Sequence, residues 1–400
     1  MKLNYINLYE IIKGKRTFLR YVKWQVFEKA LRFFTTIFIS FLIANYLSPE
    51  DFGKYTYTIS ILTIWIGTSN LGMNNLIVAQ ISKYKINQKK IISTFLKIRI
   101  ISTSLFFLLF IVYSLLNFKL GFFLTLTILF SFLEIFEFYN QGKLRLIANS
   151  KSKIIAYLFG FSLKIIAILF FKSYKLALIF YSLEFCLIYF LIYKDSKLDF
   201  FEILFSKVES KLLKATLKKM ITLSFTPFLV IFINKFDILI IKSKFGFSLL
   251  GQYNIFSQVI LLWSIFPIML TNYHLPKLAQ IYSTSIEKYH NELKKYGRIY
   301  FLIGLFLTLI SILVFNVQYG ILNYQNNSIY LACTILCFIN IPQTISLLQV
   351  QIIAINNLQN YGLIKVVIDF LLIIIFSLLL INNIGIIAIP ISLNFSSLIT

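Results

Sequence analysis

The feature that most constrains this chain is a series of apolar runs, each long enough to cross a lipid bilayer as a helix. About twelve runs are recognisable, at 26–47, 55–78, 98–117, 120–140, 154–172, 174–193, 220–241, 253–275, 299–317, 329–353, 362–381 and 384–400. Lipid offers backbone polar groups no hydrogen-bond partners, so each span must be a helix or a strand of a closed barrel. Runs such as 100–116 and 370–380 are apolar without alternation, which favours helices over barrel strands. The sequence therefore predicts an all-α integral membrane protein with about 12 transmembrane helices.

Composition agrees with this class. Hydrophobic residues make up 58% of the chain and charged residues only 14%, whereas soluble domains carry about 25% charged residues. The sequence shows no ATP-binding loop, no dinucleotide fingerprint and no hydrolase or metalloprotease motif. Three cysteines and two histidines show no spacing that favours a metal site. We therefore expect no cofactor, no metal and no enzymatic activity.

The excess of positive charge predicts the orientation of the spans. The chain has 39 Lys and Arg against 15 Asp and Glu, a formal net charge of +24. Most basic residues lie in the N-terminal segment and in the loops after even-numbered spans; the exceptions are Lys54, Lys119, Lys172, Lys175, Lys242 and Lys244 in odd loops, and Lys164 and Lys235 within spans. Because basic loops stay on the cytoplasmic side, the pattern predicts that the N-terminus and the even loops are cytoplasmic. It also supports the span count, since one missed span would scramble the alternation. It also explains the charge without nucleic acid as a partner.

The loops and a weak repeat predict two lobes. The longest loop, at 194–219, follows the sixth predicted span and divides the chain into lobes at 1–193 and 220–400. A G-x-Y element followed by a tryptophan occurs twice, at Gly53 with Trp65 and at Gly251 with Trp263. Both pairs are offset by 198 residues, which agrees with two pseudo-symmetric six-helix bundles in the same orientation.

Polar residues inside spans are the candidate functional residues, because charges in lipid are costly and usually face a bundle interior or cavity. The candidate substrate-binding residues are Arg32, Lys164, Lys235 and Gln258, and the candidate ion-coupling carboxylates are Glu28, Glu134, Glu137, Glu184 and Asp237. Structural explanations remain open: some of these side chains reach the membrane interface, and Lys164 and Glu184 are suited to a cross-helix ion pair.

Several short motifs, taken in order, give the chain a resemblance to the Wzx-type polysaccharide flippases. They are A-N-Y-L-S-P-E-D-F-G-K-Y at 44–55, L-G-M-N-N at 71–75, N-K-F-D at 234–237, F-G-F-S-L-L-G-Q-Y at 245–253, W-S-I-F-P at 263–267 and N-I-G-I-I-A at 383–388. The chain departs from the usual pattern at Asn45, where the family has Arg, at Ser48, where it has Gly, and at Ile387, where it has Gly.

The resemblance implies the fold of the multidrug/oligosaccharidyl-lipid/polysaccharide exporter superfamily, known as MATE-like. It also implies an activity: moving undecaprenyl-diphosphate-linked oligosaccharides across the bacterial cytoplasmic membrane by alternating access, for O-antigen-type surface polysaccharide. The implied partners are that lipid-linked substrate, membrane lipids and a polysaccharide polymerase. A cationic cavity would bind the diphosphate, and without an ATPase motif an ion gradient, the membrane potential or product consumption would supply the energy.

Three other functions remain open from the sequence alone. A small-molecule or multidrug antiporter of the same fold would need an acidic, aromatic cavity for organic cations. A membrane polysaccharide polymerase or glycosyltransferase would need a larger outer loop than any in this chain. A purely structural membrane component would not need charges buried in its spans.

Overall fold

A computed structural model of the protein describes residues 3–83, 88–117, 121–206, 210–263, 285–322, 326–356 and 358–399, with single positions between 267 and 282. Every regular element in these residues is a helix. The second part of predicted span 8, from residue 264 onward, lies outside the described residues except for those single positions.

The N-terminal half begins with a 44-residue helix that contains predicted span 1. Its helices are α1 (Leu3–Tyr46), α2 (Pro49–Ser69), α3 (Met73–Lys83), α4 (Gln88–Asn117), α5 (Gly121–Phe130), α6 (Ile135–Gly142), α7 (Leu146–Leu169), α8 (Tyr174–Ser196) and the short α9 (Phe200–Phe205). A 3-10 turn at Ser131–Glu134 joins α5 to α6.

The C-terminal half consists of α10 (Ser210–Leu262), α11 (Ile286–Leu322), α12 (Asn327–Cys337), α13 (Asn340–Ile355), α14 (Gln359–Ile384) and α15 (Ala388–Ile399). Helix α10 is interrupted at Gly246, whose φ of 84° and ψ of −175° are not helical. Only glycine adopts such a conformation without a steric penalty. Predicted span 7 therefore ends before Gly246, and span 8 begins after it.

Three predicted spans are divided. Span 2 breaks between Ser69 and Met73, where both Leu71 and Gly72 have positive φ. Span 4 breaks at the 3-10 turn Ser131–Glu134, and span 10 breaks between α12 and α13. Such breaks are tolerated at membrane depth where neighbouring helices and polar side chains satisfy the freed backbone groups.

Seven helical segments of the described residues are long and apolar enough to cross a membrane. They are Gln88–Ser114, Leu146–Leu169, Tyr174–Ser196, Ser224–Ile260, Ile286–Ile321, Asn327–Ile353 and Asn360–Ile399. Two of them, Ser224–Ile260 and Asn360–Ile399, are 37 and 40 residues long and each includes parts of two predicted spans. The finding supports a multi-pass membrane protein, while the total of twelve spans stays a prediction.

One face of helix α11 is suited to contact with lipid. It carries large apolar side chains that are about three-fifths exposed, namely Leu302, Phe306, Leu309, Leu313, Val317 and Ile321. The opposite face buries Thr308 and Ser311. A continuous apolar stripe of this kind is unfavourable in water but matches the hydrocarbon core of a bilayer.

The chain forms two compact units. The first comprises residues 1–47 and 61–228, and the second comprises 48–60 and 229–400. In the first unit, α7 packs against α1 and α8, and α3 packs against α6. In the second, α11 packs against α13, and α14 against α15. The lobe boundaries predicted from the sequence, at 193 and 220, stay a prediction.

Candidate functional site: a charged network and a polar cavity

The first unit contains a buried ion pair between α7 and α8. Lys164 Nζ lies 2.6 Å from Glu184 Oε2, and the two side chains are 9% and 7% exposed. The ammonium also lies 5.5 Å from the centre of the Tyr181 ring. Helix α7 has glycine at 160, where an added methyl group would overlap the Glu184 carboxylate. Glycine at this position therefore leaves room for the Glu184 side chain one helical turn from Lys164.

A second ion pair joins α6 to α7 nearby. Lys153 Nζ lies 2.6 Å from Glu137 Oε1, which also accepts a hydrogen bond of 3.2 Å from Gln141. One turn after Lys153, the hydroxyl of Tyr157 donates to Glu28 Oε1 over 3.4 Å. Lys153 and Glu28 also interact electrostatically, so the Lys153–Glu137 ion pair is connected to α1 through Glu28.

Arg32 of α1 differs from the other cations of this region because it is exposed. Its guanidinium interacts electrostatically with Tyr157, Tyr181, Glu28 and Glu184. In the part of the chain that the structure describes, no carboxylate forms a direct ion pair with it. Arg32 is therefore an exposed cation that interacts with two tyrosines, of which Tyr157 is itself buried.

A third ion pair lies where two predicted spans are broken. Arg99 Nη2 donates to Glu134 Oε2 over 2.8 Å and to the carbonyl of Ser131 over 3.4 Å. Asn70, in the break between α2 and α3, donates to the same Glu134 oxygen over 3.3 Å. Arg99 is 2% exposed, and its Nη1 has no hydrogen-bond partner among the described residues. Together with Asn70, the pair thus connects the break in predicted span 2 to the break in predicted span 4.

These contacts form one electrostatic network, because Glu134 also interacts with Glu137 and Lys153. It contains four basic and four acidic side chains, namely Arg32, Arg99, Lys153, Lys164, Glu28, Glu134, Glu137 and Glu184. Buried charges are tolerated when they are paired. Three of the cations are bridged to carboxylates, which leaves Arg32 as the member of this set that is exposed and not directly bridged.

The second unit contains a cavity of about 490 Å³, whose lining combines apolar side chains with a group of polar ones. Two carboxylates line it, Asp237 of α10 and Asp369 of α14, together with amides and hydroxyls including Asn234, Gln343 and Ser396. Asp237 is 5% exposed, and its Oδ1 accepts a hydrogen bond of 2.8 Å from the amide of the next residue. The Oδ1 of Asp369 and the Oε1 of Gln343 are buried without hydrogen-bond partners among the described residues. Oxygen ligands of this kind suit hard cations and protons.

The remaining predicted site residues are in α10. Lys235 is half-buried and interacts with Asp237, so the structure places it beside the cavity carboxylate. Gln258 is half-buried in the second part of the same helix. Gln258 is not among the residues that line the cavity.

The sequence did not single out Arg99, Lys153 and Tyr157, or assign Asp369 a role. Arg99 and Lys153 were assigned to basic loops, yet both side chains are engaged inside the first unit. A signal was present for Arg99, since it lies between Ile98 and Ile100 at the start of predicted span 98–117. For Lys153 and Tyr157, the spacing of four residues places both on one helix face.

The chain resembles known proteins in its structure. No protein-family model matches the chain, and no curated protein matches it. An inward-facing multidrug resistance MATE family transporter of the MOP superfamily matches with a TM-score of 0.70 at 13% identity, covering 92% of this chain and 91% of that one. The lipid II flippase MurJ, in an inward closed conformation, matches with a TM-score of 0.70 at 14% identity, covering 95% of this chain and 85% of that one.

A third match is a MOP superfamily transporter from Pyrococcus furiosus, described as having a binding pocket of reverse polarity that suggests a different function. Its TM-score is 0.61 at 10% identity, with coverage of 95% of this chain and 92% of that one. Identities this low establish the fold alone. The chain therefore has the MATE-like fold of MOP superfamily transporters, and the predicted fold class is confirmed.

Proposed function

We propose that this protein is a flippase that moves undecaprenyl-diphosphate-linked oligosaccharides across the bacterial cytoplasmic membrane by alternating access. The observation that carries the proposal is the arrangement of charge in the first unit. The carboxylates of the network are buried or bridged to cations, whereas Arg32 is exposed and interacts with Tyr157 and Tyr181. A guanidinium binds diphosphate oxygens bidentately.

Within the first unit, the same arrangement disfavours the antiporter alternative. An antiporter for organic cations needs an accessible carboxylate among aromatic residues. Glu28 is 8% exposed and accepts from Tyr157, and Glu184 is 6% exposed and is bridged to Lys164. Similarity to both MATE transporters and the MurJ flippase agrees with either function, so the choice rests on the charges.

The cavity of the second unit supplies a candidate for energy coupling. In this proposal Asp237 and Asp369 bind a monovalent cation or a proton while the substrate occupies the first unit. The unpartnered oxygens of Asp369 and Gln343 support this role, since buried oxygens without partners are costly unless a ligand occupies them. Transport would need no catalytic residue, and a polysaccharide polymerase would consume the product.

The test is a flipping assay in liposomes. Purified protein is reconstituted with a fluorescent undecaprenyl-diphosphate saccharide, and a membrane-impermeant quencher reports the fraction that has crossed. We expect wild-type protein to accelerate crossing and Arg32→Gln to slow it by roughly tenfold, since a charged hydrogen bond to phosphate is lost. Arg32→Lys should retain part of the rate, because it keeps the charge but loses the bidentate geometry.

Arg298→Gln is the matched control, because Arg298 is exposed and lies outside the network. It should flip at the wild-type rate. Equal rates for Arg32→Gln and wild type would reject Arg32 as the diphosphate contact. Uptake of an organic cation dye, without any lipid flipping, would favour the antiporter instead.

A further inference from the structure

A lysine lies beside the cavity of the second unit, and no role has been given to it so far. Lys365 belongs to α14 and lies within the apolar segment Asn360–Ile399, where a charge is costly unless it is paired. Its half-buried ammonium donates hydrogen bonds to Ser346 Oγ over 2.8 Å and to Gln349 Oε1, both on the neighbouring helix α13. Both partners are neutral, so neither of them balances the positive charge.

The carboxylate of the same helix is in the opposite situation. Asp369 follows Lys365 by four residues, a spacing that places both side chains on one helix face. A hydrogen bond with Ser396 engages the carboxylate, but its Oδ1 is buried without a partner among the described residues. In that part of the chain Lys365 and Asp369 interact electrostatically without forming a direct ion pair. Opposite charges within reach attract strongly in a low-dielectric interior, so the separation needs a physical cause.

The polar lining of the cavity suggests that cause. Gln343 of α13 lines the same cavity as Asp369, and its Oε1 is also buried without a hydrogen-bond partner in the described ranges. Carboxylate and amide oxygens are the ligands that hard cations prefer. Ser346, which accepts from Lys365, lines the cavity as well. Asp369 therefore has two possible sources of positive charge, a bound cation and the ammonium of Lys365.

The two sources of charge exclude each other. Asp237, the other carboxylate of the cavity, interacts with Lys235. When Lys365 pairs with Asp369, each carboxylate has one lysine and the four side chains carry no net charge. A cation at Asp369 repels the ammonium, because like charges are poorly screened in a buried site. The hydrogen bonds on α13 give the ammonium a second position, away from the carboxylate.

We propose that Lys365 is a tethered competitor of the coupling cation. Its ammonium pairs with Asp369 when no cation is bound, and it moves to Ser346 and Gln349 when a cation binds the carboxylate. The ion-free protein can then change conformation without an unpaired carboxylate in the membrane, which would be unfavourable. Because the competing ion is the one proposed above for energy coupling, Lys365 has this role only if the cavity binds a monovalent cation.

The test measures binding of radioactive Na+ to the purified full-length protein in detergent at one fixed pH. Lys365→Met removes the ammonium but keeps an unbranched side chain, so it should bind Na+ roughly tenfold more tightly than wild type, since a competing state is removed. Lys295→Met is the matched control, because Lys295 is exposed on α11 and is not among the residues that line the cavity. It should bind Na+ as wild type does. Asp369→Asn should abolish binding with or without Lys365→Met.

A second variant changes the affinity in the opposite direction. Gln349→Leu removes one partner of the ammonium but no residue that lines the cavity. Lys365 should then pair with Asp369 more often, and Na+ binding should weaken by roughly threefold. Combining Gln349→Leu with Lys365→Met should restore the tight binding of Lys365→Met alone. A merely structural role of Gln349 would leave the double variant weakened.

Equal Na+ affinity of wild type and Lys365→Met, or a double variant as weak as Gln349→Leu, would overturn the competitor role. If Asp369→Asn still abolished binding in that case, the cavity would remain the coupling site. If neither wild type nor Lys365→Met bound Na+, Li+ or K+, the competitor role and coupling to a metal cation would both be wrong. Lipid flipping, which is measured separately, would still decide the transport function.

Discussion

Replacing one member of the Lys164–Glu184 ion pair should destabilise the protein far more than replacing both members together. Both side chains are more than nine-tenths buried, and a buried charge left without its partner costs about 3–5 kcal/mol. Among the described contacts, Glu184→Met leaves Lys164 with the Tyr181 ring. Lys164→Met leaves Glu184 near Arg32, so we expect its loss to be the smaller one, at about 3 kcal/mol.

The double variant Lys164→Met with Glu184→Met replaces both charges by apolar side chains, so its stability should lie within about 1 kcal/mol of wild type. Equilibrium unfolding in detergent micelles measures all four proteins of the cycle. The exposed pair Lys89–Glu202, with side chains 66% and 57% exposed, is the control. Its coupling should stay below about 1 kcal/mol because solvent screens it. If the losses of unfolding free energy in the two single variants simply add up in the double variant, the two charges do not stabilise each other and the reasoning is wrong.

Two further predictions address packing and topology. Gly160→Ala places a methyl group against the Glu184 carboxylate and should lower the free energy of unfolding by about 1–3 kcal/mol. Gly297→Ala, which meets open space, is the control and should leave the free energy of unfolding unchanged in the same measurement. Reporter fusions within 83–97 and within 277–298 should both report the cytoplasm, because both segments are basic; a periplasmic signal from either would contradict the twelve-span topology.

The sequence predicted the class of fold because the determining signal is local. Apolar runs of about 20 residues are sufficient to indicate spanning helices, whatever their neighbours are. The pairing of Lys164 with Glu184 was also foreseeable as an alternative, since two opposite charges in adjacent spans have few other stable arrangements. The structure contains this pair at 2.6 Å.

The helix breaks were not predictable in the same way. Leu71 adopts a φ of 49°, which is unfavourable for a residue with a branched side chain. The break is satisfied by tertiary contacts, in which Asn70 donates to Glu134 and Ser102 donates to the carbonyl of Ser69. No local motif encodes partners that lie more than 30 residues away.

Assigning every basic residue near a span end to a loop was a further source of error. The prediction placed Arg99 and Lys153 among topology signals, but one is 2% exposed and both pair with carboxylates of the broken fourth span. Loop charge counts do not distinguish a lysine at the interface from one that is paired inside the bundle. The orientation prediction rests on the remaining basic residues.

The pairing of α7 with α8 also has a consequence for biogenesis. Leu169 and Tyr174, which end and begin these helices, are separated by only four residues. An isolated α7 would carry Lys164 into lipid, and an isolated α8 would carry Glu184, each at a cost of about 2.5–3.5 kcal/mol. Leaving the translocon together as a helical hairpin cancels both charges before either meets hydrocarbon. We therefore expect α7 and α8 to enter the bilayer as a pair, with lateral release of α7 delayed until α8 has emerged.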